Sequence, residues 1–212
     1  MTRLTLLRHG ETDWNVEHRV QGSSDIPLND HGREQAARAR SSVWSELSEQ
    51  ALVVSSPLGR AMETAQIVCQ GHDVHIEADA RIAERSYGVW EGLSANQRAL
   101  DFPEDFSRWQ AGLEPRIYGY ETHARLAARV REAALEWVER AGPHGEVLFI
   151  SHGSSGRMLL LELLGLPLTG RLLGHMGNAS WSRLELSSGG QWTLQRHNVG
   201  QRVGAVRRQE GA

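Results

Sequence analysis

The stretch LTLLRHGETDWN, Leu4 to Asn15, decides how this chain is read. Leu4 to Leu7 have the apolar, β-favouring character of a short buried strand, and they run without a spacer into Arg8, His9 and Gly10. A cation and an imidazole at the end of a core strand call for a reason. The sequence supplies one by repetition: EVLFISHGS, Glu146 to Ser154, is a second apolar strand pattern ending in a His-Gly pair. In an open α/β sheet, ligands bind just outside the carboxyl ends of the strands, so His9 and His152 are expected to face one crevice.

A further strand pattern, Ala51 to Ser55, ends in SSPLGR. Ser56 and Pro57 read as the N-cap and first turn of the next helix, which puts Arg60 at a helix amino terminus, a setting suited to phosphate. Helical faces follow from Ala36, Ala39, Val43 and Leu47, from Leu58, Met62, Ala65 and Val68, and from Leu126, Val130, Ala133 and Trp137. Met158 to Leu164 is a nearly all-apolar, buried helix. Strand and helix alternate, as in a sheet with parallel pairs and flanking helices. ASWSRLEL and QWTLQRH, on either side of SSGG, predict a hairpin at the sheet edge. The segment from Gly92 to about Tyr120, with Pro103, Pro115 and several aromatics, reads as an insertion. Residues 1–199 are expected to form one domain, and 200–212 a frayed tail.

Composition narrows the function classes. All 23 basic residues are Arg, which excludes Schiff-base and lysine-nucleophile chemistry, and the net charge of −3 with no basic run argues against a nucleic-acid surface. No segment is long and apolar enough for a membrane helix, and Leu4–Leu7 is too short for the core of a signal peptide, so a cytoplasmic protein is expected. A single cysteine, Cys69, excludes an internal disulfide and reads as a packed thiol. His72 and His75 are a poor metal pair, because strand alternation points them to opposite faces. The sequence is compatible with a homodimer and does not show the oligomeric state.

Two Arg, two His and an uncapped helix end converging on one point would hold a tetrahedral dianion, and the chemistry that needs this is phosphoryl transfer. With no Lys and no P-loop pattern, an imidazole is the nucleophile and a phosphohistidine the expected intermediate. The acid that protonates the leaving oxygen is Glu84 or Glu91, both in RIAERSYGVWEG. Each residue also has a plainer role open to it: Arg60 could pair with Glu63 or Glu77, His152 could cap the helix after it, and Asn15 could be a turn former. Trp109, Tyr118 and Tyr120 could be a hydrophobic cluster under a long loop.

RHGETDWN, VQGSSDIPLNDHGREQA, SSPLGRAMETA, ERSYGVWEG and SHG, in this order, resemble the motifs of the histidine phosphatase superfamily, the phosphoglycerate-mutase-like branch. The resemblance implies a three-layer α/β/α sandwich with a mixed, mostly parallel central sheet and a small helical insertion over the active site, with no metal or cofactor. It further implies that His9 is phosphorylated, that Arg8, Arg60 and His152 form the phosphate pocket, and that Glu84 is the proton donor. Asn15, Gln21, Gly22 and Gly153 are the expected substrate contacts. The QG..D.PL and G.WEG forms look like phosphatases, with a small phosphomonoester as substrate, whereas mutases tend to carry Thr-Gly-Trp where this chain has Gln21 to Ser24. A cofactor-dependent phosphoglycerate mutase and a non-catalytic phospho-ligand-binding module are the alternatives. IYGYET, where many relatives have a GGES turn, leaves the substrate open.

Overall fold

The computed structural model describes residues 1–169 and 172–200; the tail expected beyond Gly200 lies outside the described residues. Six strands form one sheet: β1 (Thr2–Arg8), β2 (Leu52–Ser55), β3 (Ile76–Ala78), β4 (Glu146–Ser151), β5 (Trp181–Leu186) and β6 (Trp192–Val199), in the order β3-β2-β4-β1-β5-β6. The pairs β3-β2, β2-β4 and β4-β1 are parallel, and β1-β5 and β5-β6 antiparallel. The mixed, mostly parallel sheet is therefore as expected, and the predicted hairpin forms its β5-β6 side.

Strand alternation builds two cores. Leu4, Leu6, Val147 and Phe149 face one cluster, and Leu7, Val53, Leu148 and Ile150 face the other. Burial on both faces is why β1 and β4 read as continuous apolar runs. The first cluster is covered by α6 (His123–Ala141) and α7 (Gly153–Leu163), and the second by α2 (Asp30–Trp44) and α3 (Gly59–Cys69). The result is three layers. On α6 the predicted face Leu126, Val130, Ala133 and Trp137 is buried throughout. On α3, Arg60, Ala61, Thr64, Ala65, Val68 and Cys69 are buried, so Ala65 and Val68 of the predicted face are in the core, whereas Met62 is only half-buried and Leu58 is the N-cap. Leu47 lies past the end of α2.

Three short α-helices, α1 (Asp13–Val16) and, in the predicted insertion, α4 (Ala95–Asp101) and α5 (Pro103–Gln110), and two 3-10 turns, Ala80–Ile82 and Gly88–Trp90, complete the described elements. The insertion rests on the loop after α1, with Arg19 donating to Gly92 O at 2.7 Å and to Gln97 Oε1 at 3.2 Å. Among the described residues no helix is long and apolar enough to cross a membrane.

Candidate active site

β1 and β4 run parallel with Arg8 beside Ser151, so their following residues, His9 and His152, emerge together. The two rings lie with centroids 5.2 Å apart, and both are buried. His9 is held through its backbone: its N–H donates to Ser151 O at 3.0 Å, and its carbonyl accepts from Ala179 N at 3.1 Å and Asn178 Nδ2 at 3.2 Å. Gly10 permits a tight approach to the start of α2, because a Cβ there would lie 2.3 Å from Gly32 O.

The tautomer of His9 follows from its partner. Nδ1 lies 2.6 Å from Gly10 O, a carbonyl that only accepts, so Nδ1 carries the proton and Nε2 keeps its lone pair. Burial, then the charges of Arg8 and Arg60, push the His9 pKa well below its ordinary value. The ring is thus neutral at neutral pH, the form a nucleophile requires.

Arg60 lies in the first turn of α3 and is 0% exposed. Its Nη1 donates to Ser24 O at 2.7 Å and Nη2 to Gly22 O at 2.8 Å; Arg8 Nη1 donates to Met176 O at 2.6 Å. Among the described residues neither guanidinium has a carboxylate within ion-pair distance, and Nε of each is buried with no hydrogen-bond partner. The alternative partners are engaged elsewhere, Glu63 with Arg33 and Glu77 with Arg140. Two buried cations held only by neutral carbonyls are a costly arrangement that a bound anion would compensate.

His152 occupies the N-cap position of α7, yet its side chain makes no capping bond. Its Nε2 lies 2.7 Å from Ser56 Oγ, and its buried Nδ1 has no partner among the described residues. Ser56 is therefore not the N-cap of α3; Leu58 holds that position and Ser56 orients the imidazole. Burial, then the charges of Arg60, His9, Arg8 and Arg129, lower the His152 pKa well below its ordinary value. The ligand-free His152 is neutral, and only an incoming negative charge would favour its protonation.

Neither helix end in the site is uncapped. Gly59 N, at the start of α3, donates to Asp25 Oδ1 at 2.8 Å. Ser154 N and Ser155 N, at the start of α7, donate to Glu84 Oε2 and Oε1 at 3.0 Å each. Asp25 is the Asp of the QG..D.PL form, but nothing in the sequence marked it as the partner of Gly59 N. Two of the amino-terminal N–H groups of α7, those of Ser154 and Ser155, are thereby committed to the candidate acid.

The two candidate glutamates differ in surroundings. Glu84 also accepts from Arg85 N at 2.7 Å, so Oε1 takes two N–H groups and Oε2 one; a Cβ on Gly153 would lie 3.9 Å from Oε2 and 3.6 Å from Arg8 Nε. Oε2 is thus the Glu84 oxygen on the side of Gly153, which Arg8 also borders. Glu91 instead accepts from the N–H and hydroxyl of both Ser23 and Ser24 and from Tyr87 N. These bonds outweigh burial and hold its pKa below the ordinary carboxylate value. Glu91 cross-braces two loops.

The other expected contacts divide. Gln21 is buried with Oε1 unpartnered among the described residues, beside Gly22, whose carbonyl holds Arg60. Asn15 uses Oδ1 locally, accepting from Thr12 N and from Asn178 Nδ2, both at 3.1 Å. Asn178, which ties Asn15 to the backbone of His9 and Gly10, belongs to no motif and was not legible in the sequence. Trp109 packs with Trp90 and Phe106 around Arg98, the hydrophobic-cluster reading. Tyr118 is exposed; Tyr120 meets Tyr87 edge-on and bonds Arg85. Cys69 is a packed thiol, its pKa pushed up by burial to about 11. Among the described residues no cluster of three or more His, Cys, Asp or Glu could hold a metal, and His72 stacks on Trp44.

Comparison with known proteins extends the geometry to the whole chain. The model of the histidine phosphatase superfamily (branch 1) matches residues 4–200. A glucosyl-3-phosphoglycerate phosphatase of Mycobacterium tuberculosis is 34% identical over 198 residues, covering 90% of this chain and 86% of the relative. A probable phosphoglycerate mutase GpmB of Salmonella paratyphi C is 35% identical, covering 91% and 88%. The solved structure of a mycobacterial glucosyl-3-phosphoglycerate phosphatase in complex with VO3 superposes with a TM-score of 0.83 at 34% identity, covering 93% of this chain and 99% of that one.

Proposed function

The chain belongs to the histidine phosphatase superfamily, branch 1, and from that premise we propose that it is a phosphatase hydrolysing small phosphomonoesters in the cytoplasm through a phosphohistidine on His9. The observation that carries the reading is the pair of buried guanidiniums, Arg8 and Arg60, held by carbonyls alone beside a neutral imidazole. Glu84, Asp25 and Glu91 act on the two cations only from beyond ion-pair distance, and the phosphoryl group of a monoester supplies the directly bonded negative charge.

His9 Nε2 attacks phosphorus as the bond to the ester oxygen breaks, and Glu84, through Oε2, delivers a proton to the departing alkoxide. Water then attacks phosphorus as the bond to His9 Nε2 breaks, the Glu84 carboxylate takes up a proton from that water, and inorganic phosphate leaves with His9 neutral again. Arg8 and Arg60 stabilise the charge on the non-bridging oxygens in both steps, and His152 Nδ1 supplies a further donor. Gln21 and Gly153 line the same cradle, and Asn15 supports it through Asn178. The chemistry needs no metal ion.

The mutase reading is favoured by the Salmonella relatives described as probable phosphoglycerate mutases, and differs only in returning the phosphate to a sugar acid. The test is turnover of a panel of phosphomonoesters in EDTA, beside His9→Ala. Phosphate release by wild type and not by the variant is expected; equal rates in the two proteins would refute the proposal. With phosphoglycerate, isomerisation faster than phosphate release would favour the mutase.

A further inference from the structure

Glu84 lies two residues past the 3-10 turn Ala80–Ile82, whose last carbonyls have no partner within the turn itself. Arg129, on α6, supplies most of them. Its Nη1 donates to Arg81 O at 2.6 Å and Ala83 O at 2.8 Å, and its Nη2 to the carbonyl of Glu84 itself at 3.1 Å. The carbonyl left over, that of Ile82, accepts from Ser151 Oγ at 2.7 Å. Four consecutive carbonyls leading into the proposed acid are thus taken up by two side chains.

The guanidinium is itself fixed. Nε and Nη2 form a two-point pair with Glu121 at 2.7 and 2.8 Å, and Glu121 N donates to Ser86 O at 2.9 Å, two residues beyond the acid. The Arg129-Glu121 unit therefore grips the chain on both sides of Glu84. Packing holds only part of the segment: Ile82 is buried in the core, but an open pocket lined by Ala80, Ala83, Glu84, Ser86, Glu121 and Arg129 lies against its other side. The three N–H groups that donate to Glu84 fix its carboxylate, and the Arg129-Glu121 unit fixes the backbone that delivers it; a displacement of about 1 Å can cost on the order of a hundredfold in rate.

We infer that Arg129 is a positioning residue for proton donation by Glu84, acting through the backbone carbonyls of Arg81, Ala83 and Glu84. The inference rests on the hydrolase reading above and makes a narrower claim. Loss of an acid slows esters with poor leaving groups far more than those whose leaving group departs unaided, and a merely structural defect does not discriminate.

The experiment compares kcat and KM for p-nitrophenyl phosphate and for glycerol phosphate across wild type, Arg129→Met, Glu84→Gln, the double variant and His9→Ala. Arg129→Met is expected to lower kcat on the alkyl ester about 10- to 100-fold and on the aryl ester by less than about threefold, with KM within about twofold. The double variant is expected to be no slower than Glu84→Gln alone, because both changes remove one function. Equal losses on the two esters, no loss, or multiplying losses in the double variant would overturn the inference. If Arg129→Met does not fold, Glu121→Gln, which keeps the guanidinium but weakens its grip, carries the test: a loss confined to the alkyl ester supports the inference and an indiscriminate or absent one overturns it. Failure of the hydrolase reading looks different, since wild type would then be no faster than His9→Ala on either ester.

Discussion

Replacing each candidate glutamate by glutamine separates a catalytic carboxyl from a structural one. In Glu91→Gln the amide is best placed at Oε2, where the hydroxyls of Ser23 and Ser24 can turn to accept, so only the Ser24 N–H loses its acceptor. Placed at Oε1 it would oppose both Ser23 N and Tyr87 N. In Glu84→Gln the favoured position is again Oε2, which sacrifices the Ser154 N–H, because Oε1 serves Arg85 N and Ser155 N. Each variant thus forfeits one charge-assisted bond, about 1.5–3 kcal/mol. For a chain of this size that is a melting-point loss of roughly 3–12 °C. The two variants should be similarly destabilised and yet differ in catalysis. Glu84→Gln is expected to lose about 10²- to 10⁴-fold in kcat on alkyl phosphates, and Glu91→Gln only a small, leaving-group-independent fraction. Thermal melts with kcat on both ester types are the assay. A leaving-group-dependent loss in Glu91→Gln, with Glu84→Gln near wild type, would refute the assignment.

Two further outcomes follow from the same loops. Gly22 has φ +57°, and an added Cβ would lie 2.2 Å from Glu91 Oε1, which its donors prevent from retreating. Gly22→Ala should cost about 2.5–5 kcal/mol, from about 1–2 for the left-handed backbone and about 1.5–3 for a displaced charge-assisted bond; a urea midpoint within about 1 kcal/mol of wild type would contradict this. His9 and His152 both have folded-state pKa values below the ordinary 6.5, so below that pH the unfolded chain binds protons that the folded one does not. Stability is therefore fully present above pH 6.5 and falls as pH drops, by up to about 1.4 kcal/mol per unit for each ring until the folded pKa is reached. Urea unfolding at pH 7.5, 6.5 and 5.5 should show a slope that shrinks in a His9→Gln/His152→Gln variant, which retains the contribution of His123; an unchanged slope would count against the buried, neutral pair.

What the sequence determined by itself was the layered sheet and the residue types of the site, because both are written in local pattern. The periodicity of Leu4 to Leu7 and Val147 to Ile150 reports burial on two faces, and the ends of those strands must bring His9 and His152 together once β1 and β4 pair in parallel. Arg60 was legible for the same reason, as a first-turn residue after a third strand. Protonation, donor counts and supports were decided only by the tertiary structure, because they depend on groups far apart in the chain. Glu84 and Glu91 sit seven residues apart in one loop, and their difference lies in Ser154 and Ser155 for one and Ser23 and Ser24 for the other. The neutrality of the ligand-free His152 was not legible because the sequence does not show how deeply a ring is buried beside Arg60. The free helix end failed because Asp25 and Glu84 arrive from distant loops to cap it. Asn178 and Arg129 left no trace in any motif, since each works through backbone carbonyls, which carry no residue identity.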